Sequence, residues 1–176
     1  MIQLLSMLAE DRSQSVDRGC LMAMVPEFQK NKLAEFGKKL VREEDLYLEG
    51  NEFGRETDCH VTILYGFLPD LHELQIRKII QDVKPFTITL TGIDTFQNHQ
   101  FDVVKFSVES PVLRKLNEIA KQFPNKSSFP NYKPHMTIAY VKSGTFKFPR
   151  SGMNIRIPIN EVCYSPARGG KSCFDL

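Results

Sequence analysis

The hydrophobic and polar positions of this chain switch between a period of two and a period near three and a half, and they do so in the same order twice. Gly19-Cys20-Leu21-Met22-Ala23-Met24-Val25 is a continuous apolar run closed by Pro26, the pattern of a buried strand. From Phe28 to Val41, apolar residues fall at Phe28, Leu33, Phe36 and Leu40 with lysines between, which predicts an amphipathic helix. A polar stretch, Arg42 to Asp58, precedes a second strand signal that ends near Tyr65-Gly66-Phe67-Leu68-Pro69. A helix is expected from about Asp70, its cap, to Val83, with Leu71, Leu74, Ile76, Ile79 and Ile80 on the apolar face. Phe86 to Ile93 then alternates strictly at period two, as a half-buried strand does.

The second half repeats this order. Phe101 to Val108 reads as a strand, Ser110 caps a helix with Pro111 in its first turn, and Val112, Leu113, Leu116, Ile119 and Ala120 form that helix's stripe. A loop rich in Pro, Asn and Ser, Phe123 to Pro134, leads into another strand, and Ile155 to Tyr164 reads as the last one. Each half thus runs strand, helix, loop, strand, which predicts an internal duplication about a pseudo-twofold axis.

The strand after each loop carries the same phrase, His60-Val61-Thr62-Ile63 and His135-Met136-Thr137-Ile138, and so uses two of the four histidines. On extended backbone, side chains at i and i+2 share a face, so each phrase sets an imidazole beside a hydroxyl. A lone His on a strand is more often structural than catalytic. Two copies at equivalent places reverse that balance.

Composition narrows the setting. With 176 residues, 41% hydrophobic and 25% charged, the chain can bury its own core. Its formal net charge of +2 is too small for binding long nucleic acid through a broad basic surface, and leaves a small anion held in one cleft open. Cys20, Cys59, Cys163 and Cys173 form no Cys-x-x-Cys pair, so reduced, cytoplasmic thiols are expected. Residues 1–18 read as an arm or short helix without the basic start of a signal peptide. Residues 19–176 read as one domain, and no stretch reaches membrane-spanning length.

The paired phrases, each followed by an aromatic in Tyr65 and Tyr140, resemble the 2H phosphoesterase superfamily. The resemblance runs over nearly the whole chain from Gly19 onward. It implies an α+β fold, bilobal and pseudo-twofold, with antiparallel sheets lining a central cleft and helices outside. It also implies phosphodiester cleavage without metal or other cofactor, with His60, Thr62, His135 and Thr137 as the catalytic set. The chemistry asks for the same groups independently. One imidazole deprotonates the attacking oxygen, the other protonates the departing one, and the hydroxyls donate to the non-bridging oxygens. The residues alone do not decide which His does which.

Further candidates surround this set. Glu161, in phase with apolar neighbours, is read either as the carboxylate that orients a catalytic His or as half of a structural ion pair. Arg168 and Lys171, in the run Ser165 to Ser172, could wrap phosphate or form a plain basic turn. Tyr132 and Lys133 are placed at the cleft mouth, where the alternative is an ordinary surface loop. Cys59 is set aside as a nucleophile because strand neighbours point to opposite faces, and His72 and His99 are expected to be exposed. No zinc-ligand spacing is present.

The phrases around both histidines, with Glu161 followed by Tyr164-Ser165-Pro166, are also similar to the bacteriophage anti-CBASS nucleases. That likeness implies opening of 3′-5′ linkages in cyclic di- and trinucleotide signals, in the cytoplasm of a bacterial host. An RNA 2′,3′-cyclic phosphodiesterase or 2′-5′ RNA ligase-like enzyme is the alternative, and a non-catalytic nucleotide-binding module the second. The expected partner is a cyclic oligonucleotide or short RNA, with no membrane, and the oligomeric state stays open.

Overall fold

Both His-x-Thr strands lie at the edge of a sheet, and each edge is covered by chain from the opposite half. The computed structural model describes residues 18–50, 53–69, 71–127, 129 and 131–176; the expected N-terminal arm, save Arg18, and the expected cap Asp70 lie outside them. The elements are β1 (Gly19–Met24), α1 (Glu27–Leu40), β2 (His60–Phe67), α2 (Glu73–Ile80), β3 (Phe86–Phe96), β4 (Phe101–Glu109), α3 (Pro111–Ala120), β5 (His135–Lys142), β6 (Arg150–Ile159), β7 (Glu161–Ser165) and β8 (Ser172–Asp175). They build two antiparallel four-stranded sheets, ordered β2-β1-β7-β8 and β5-β4-β3-β6. The expected α+β, pseudo-twofold architecture is therefore present.

Local signals place the helices. Pro26 ends β1, and α1 begins one residue later. Ser110 Oγ accepts from the Leu113 amide at 3.3 Å with Pro111 at the first helical position, the N-terminal device read in the sequence. The shorter α2 starts at Glu73, where the His72 amide donates to Gln75 Oε1 at 2.9 Å. No helix among the described residues is long and apolar enough to cross a membrane.

The helices cross between the halves. α1 follows β1 of the first sheet yet packs on β5 of the second, and α3 follows β4 of the second yet packs on β2 of the first. Gly37 makes the first crossing close: a Cβ there would meet Ile138 Cγ2 at 3.1 Å. Because helices are exchanged, one continuous core holds Leu21, Val61 and Ile63 of one sheet together with Leu90, Phe106, Met136 and Ile138 of the other.

The loops cross as well. Tyr47 N donates to Tyr140 O, Tyr140 N to Gly54 O, and Glu56 N to Ile138 O, at 3.0, 2.7 and 3.0 Å, so the polar stretch before β2 runs along the outer edge of β5. In return Lys126 N donates to Gly66 O at 2.8 Å and Leu68 N to Pro124 O at 3.2 Å. The loop before β5 runs along β2. Each strap satisfies edge amides and carbonyls that would otherwise be exposed.

Two expectations are corrected here. The single last strand from Ile155 to Tyr164 is two strands in different sheets, joined at Asn160: β6 pairs with β3 and β7 with β1. The core phase shows why, since Ile157 and Ile159 are buried and then Val162 and Tyr164, so the inward parity flips at the crossing. The expected reduced thiols are also overturned at two positions. Beyond β7 the chain turns back as β8, Cys163 stands directly opposite Cys173, and the two form a disulfide.

Candidate active site

The Ile that ends each phrase has a structural task. Between β1 and β2 the pairing jumps from Leu21↔Leu64 to Met22↔Thr62 and leaves Ile63 unopposed; between β4 and β5 it jumps from Val104↔Ala139 to Lys105↔Thr137 and leaves Ile138 unopposed. Each is a β-bulge at the same place in the two copies, and a bulge resets which face the following residues present. Tyr65 and Tyr140, three residues after the Thr, thereby return to the His-Thr face instead of turning away from it. Each bulged carbonyl also keeps a partner, because Ile63 O accepts from Asn117 Nδ2 at 2.7 Å and Ile138 O from Glu56 N at 3.0 Å.

The two strands adjoin across the cleft, and the histidines are held alike. His60 Nδ1 lies 2.6 Å from Asp58 O, and His135 Nδ1 lies 2.9 Å from Lys133 O. A carbonyl only accepts, so each Nδ1 carries the proton and each Nε2 remains for a substrate. The pKa of His135 is pushed down to about 4, chiefly by burial, with Lys105 and His60 disfavouring its proton further and the Lys133 carbonyl opposing. His135 keeps part of its surface open, so the dense protein around the ring, and not full enclosure, acts on it. That His60 contributes at all shows the two imidazoles to be in electrostatic reach.

Around these groups the sheets present different linings. From β1, Met24 faces His60 and Met22 faces Thr62, and both thioethers pack with Cys163 and Cys20. From β4, Ser107 faces His135 and Lys105 faces Thr137. Phe96 meets the His135 ring edge to face at 4.9 Å between centroids, and Lys105 Nζ lies 4.4 Å over the Phe96 ring. Lys105 and Phe96 were not among the expected site residues. The signal for Lys105 was present in Phe101-Asp102-Val103-Val104-Lys105-Phe106-Ser107-Val108, where a lysine falls in phase with a serine on a mostly apolar strand; nothing in the run marks Phe96.

The remaining candidates take other places. The Tyr132 ring packs against the core and its hydroxyl donates to Thr62 O at 2.9 Å; burial raises its pKa, and its hydroxyl braces β2. Lys133 is exposed and supplies the carbonyl beneath His135. Lys171 Nζ pairs with Asp58 Oδ2 at 2.7 Å, while Lys30 holds Asp58 Oδ1 at 2.6 Å. Burial disfavours the Asp58 charge, but the two lysines outweigh it and the carboxyl pKa falls. Lys171 therefore clamps the residue whose carbonyl holds His60. Arg168 lies exposed in the turn between β7 and β8.

Glu161 does not orient either imidazole, because both Nδ1 atoms already bond to backbone carbonyls. Its carboxylate lies 3.4 Å from Cys163 Sγ, a sulfur that the disulfide leaves without a proton to donate. Glu161, Cys163 and Cys173 are also the cluster of possible metal donors among the described residues, and the disulfide occupies both sulfurs. Cys59 is buried in the main core, and burial lifts its pKa to about 11, which keeps it a neutral thiol. His72 and His99 are exposed.

The fold recurs in solved structures. TT0787 of Thermus thermophilus superposes with a TM-score of 0.59 at 19% identity, over 90% of this chain and 94% of that one. E. coli LigT complexed with 3′-AMP gives 0.58 at 17% identity, over 91% and 95%. Kluyveromyces marxianus Usb1 gives 0.58 at 12% identity, over 93% and 100%. Among curated proteins, no sequence matches this chain. The family model described as the 2′-5′ RNA ligase superfamily matches residues 40–147, more than half of the chain and a span that includes both His-x-Thr phrases. By that match, on a fold with the same two-sheet architecture, the chain belongs to the 2′-5′ RNA ligase superfamily.

Proposed function

We propose that this chain is a phosphodiesterase that cuts short ribonucleotides by acid-base catalysis between His60 and His135. The observation that carries the reading is the matched tethering of the two imidazoles, each Nδ1 bound to the carbonyl two residues upstream and each ring beside a threonine on adjoining edge strands. With its proton disfavoured, His135 is the base: Nε2 takes the proton of the attacking oxygen. His60, protonated, gives the Nε2 proton to the leaving oxygen. Thr62 and Thr137 donate to the non-bridging oxygens, where charge accumulates. Attack by a ribose 2′-OH on the adjacent phosphate expels the leaving oxygen and yields a 2′,3′-cyclic phosphate; water then opens it with the roles reversed, His60 taking the water's proton and His135 returning one to the departing ribose oxygen.

Within this class we read the substrate as a cyclic di- or trinucleotide signal, opened at a 3′-5′ linkage, so that a phage-encoded copy would silence a host's cyclic-nucleotide defence. The phrases around both histidines and the two-sided cleft support it. The second reading, cleavage of 2′,3′-cyclic phosphate or 2′-5′ linkages in RNA, is favoured by the family model. A panel of cyclic dinucleotides, 2′-5′-linked dinucleotides and cyclic-phosphate-ended RNAs, incubated in EDTA and resolved by chromatography, separates the two. Cleavage of an all-deoxy cyclic dinucleotide as fast as its ribose counterpart would sink the 2′-OH mechanism, and strict metal dependence would sink the acid-base one.

A further inference from the structure

Lys105 is a buried cation with little to neutralise it. Its side chain is only 7% exposed, and its anionic neighbour among the described residues, Asp94, is 62% exposed and 3.6 Å from Nζ, beyond ordinary hydrogen-bond length. The Phe96 ring face 4.4 Å away contributes a cation-π contact, which offsets only part of the desolvation. A buried ammonium held this loosely is costly unless an anion completes its shell. Burial and nearby Lys133 both push its pKa down, against the pull of Asp94.

Its position identifies the anion. Lys105 is the direct partner of Thr137 and shares a face with Ser107, the partner of His135. It therefore lies on the cleft face one strand away from the catalytic pair, about 4.8 Å across the sheet. A phosphate gripped between His60, His135 and the two threonines is already served by those groups. One strand spacing plus a four-carbon stem matches the step from one phosphate of an oligonucleotide to the next.

We propose that Lys105 is a specificity-determining residue that binds the phosphate next to the scissile one, so that the site selects substrates with at least two phosphates over a mononucleotide. Asp94 and the Phe96 ring store the ammonium on the cleft floor, and the phosphate replaces Asp94 as its partner. The inference rests on the phosphodiesterase reading above and narrows its substrate class.

The test compares kcat/KM for a mononucleoside 2′,3′-cyclic phosphate and for a linear dinucleotide ending in the same group, in the wild type, Lys105→Met and Lys105→Arg. Met conserves the stem and suits a buried site, so the fold survives. The expected result is a loss about tenfold to a hundredfold larger on the dinucleotide than on the mononucleotide, the scale of one charged hydrogen bond, carried mainly by KM and largely restored in Lys105→Arg. An equal loss on both substrates, or none, would overturn the inference while wild-type turnover kept the phosphodiesterase reading intact. Wild-type inactivity on both and on a cyclic dinucleotide would overturn the two together.

Discussion

Asn117 Nδ2 donates to the carbonyl of Ile63 at 2.7 Å, with both residues buried, and so a helix of the second half completes the bulge in the His60 strand of the first. The carbonyl has lost its ladder partner because the pairing skips Ile63. Asn117→Ala would leave it unsatisfied in the core, at a cost of about 1–3 kcal/mol. A thermal or denaturant melt measures this. Asn117→Ser should not rescue the loss, since its hydroxyl is too short to reach the carbonyl. An unchanged midpoint for the Ala variant would show that the bulge does not need the bond.

The proposed pairing of His60 with His135 is tested by truncation. His60→Ala and His135→Ala should each lower the rate about 10²- to 10⁴-fold with the melting midpoint little moved, because both rings sit at strand starts outside the main core. The double variant should lose less than the product of the two, as groups acting in one proton exchange do. A fully active His60→Ala, measured on any substrate the wild type cleaves, would remove the mechanism.

What the sequence made legible was what depends on near neighbours. The Ser110-Pro111 cap, the amphipathic α1 and α3, and the pairing of His with Thr on one strand face all follow from short-range spacing. The straps along β2 and β5 did not, because edge covering depends on which segment crosses the other half. The bulges were half visible: the shared Ile stood out, but its role is defined only by the partner strand. Glu161 is read from one phase continued past Asn160, where the chain changes sheets; on β7 it shares the face of Cys163, which packs with Met22 and Met24. Lys105 is marked by its phase with Ser107, a faint signal because a lysine on a strand is usually solvated.

The disulfide gives a prediction about thiols and stability. Cys163 and Cys173 close a hairpin of sequence separation 10, and a loop of that size stabilises by about 2–3 kcal/mol in the chain-entropy account. Denatured, unreduced protein should show two titratable thiols, Cys20 and Cys59, and reduced protein four. Native protein should leave Cys59 unreactive toward alkylating agents, as its burial and raised pKa require. Reduction, or Cys173→Ser, should lower the melting midpoint. Because Lys171 lies two residues before Cys173 and clamps Asp58, breaking the disulfide should also loosen the His60 tether. Four thiols in the unreduced protein would cancel both expectations.

The pH dependence follows from His135, whose folded pKa of about 4 lies below the ordinary imidazole value of 6.5. Between these values the unfolded chain binds a proton that the native site refuses, so stability contributed by His135 is fully present above about pH 6.5 and is lost as pH falls toward 4. Activity should share the window from the other side: if His135 is the base, the acid limb of kcat/KM bends near its folded pKa and not near 6.5. Nuclear magnetic resonance of the imidazole C–H gives the midpoint directly. Lys105→Met removes one of the charges that oppose the proton, while burial, His60 and the Lys133 carbonyl remain, so the midpoint should rise without reaching 6.5. A midpoint at 6.5 in the wild type would remove the ground for making His135 the base, and the assignment of base and acid would fall with it.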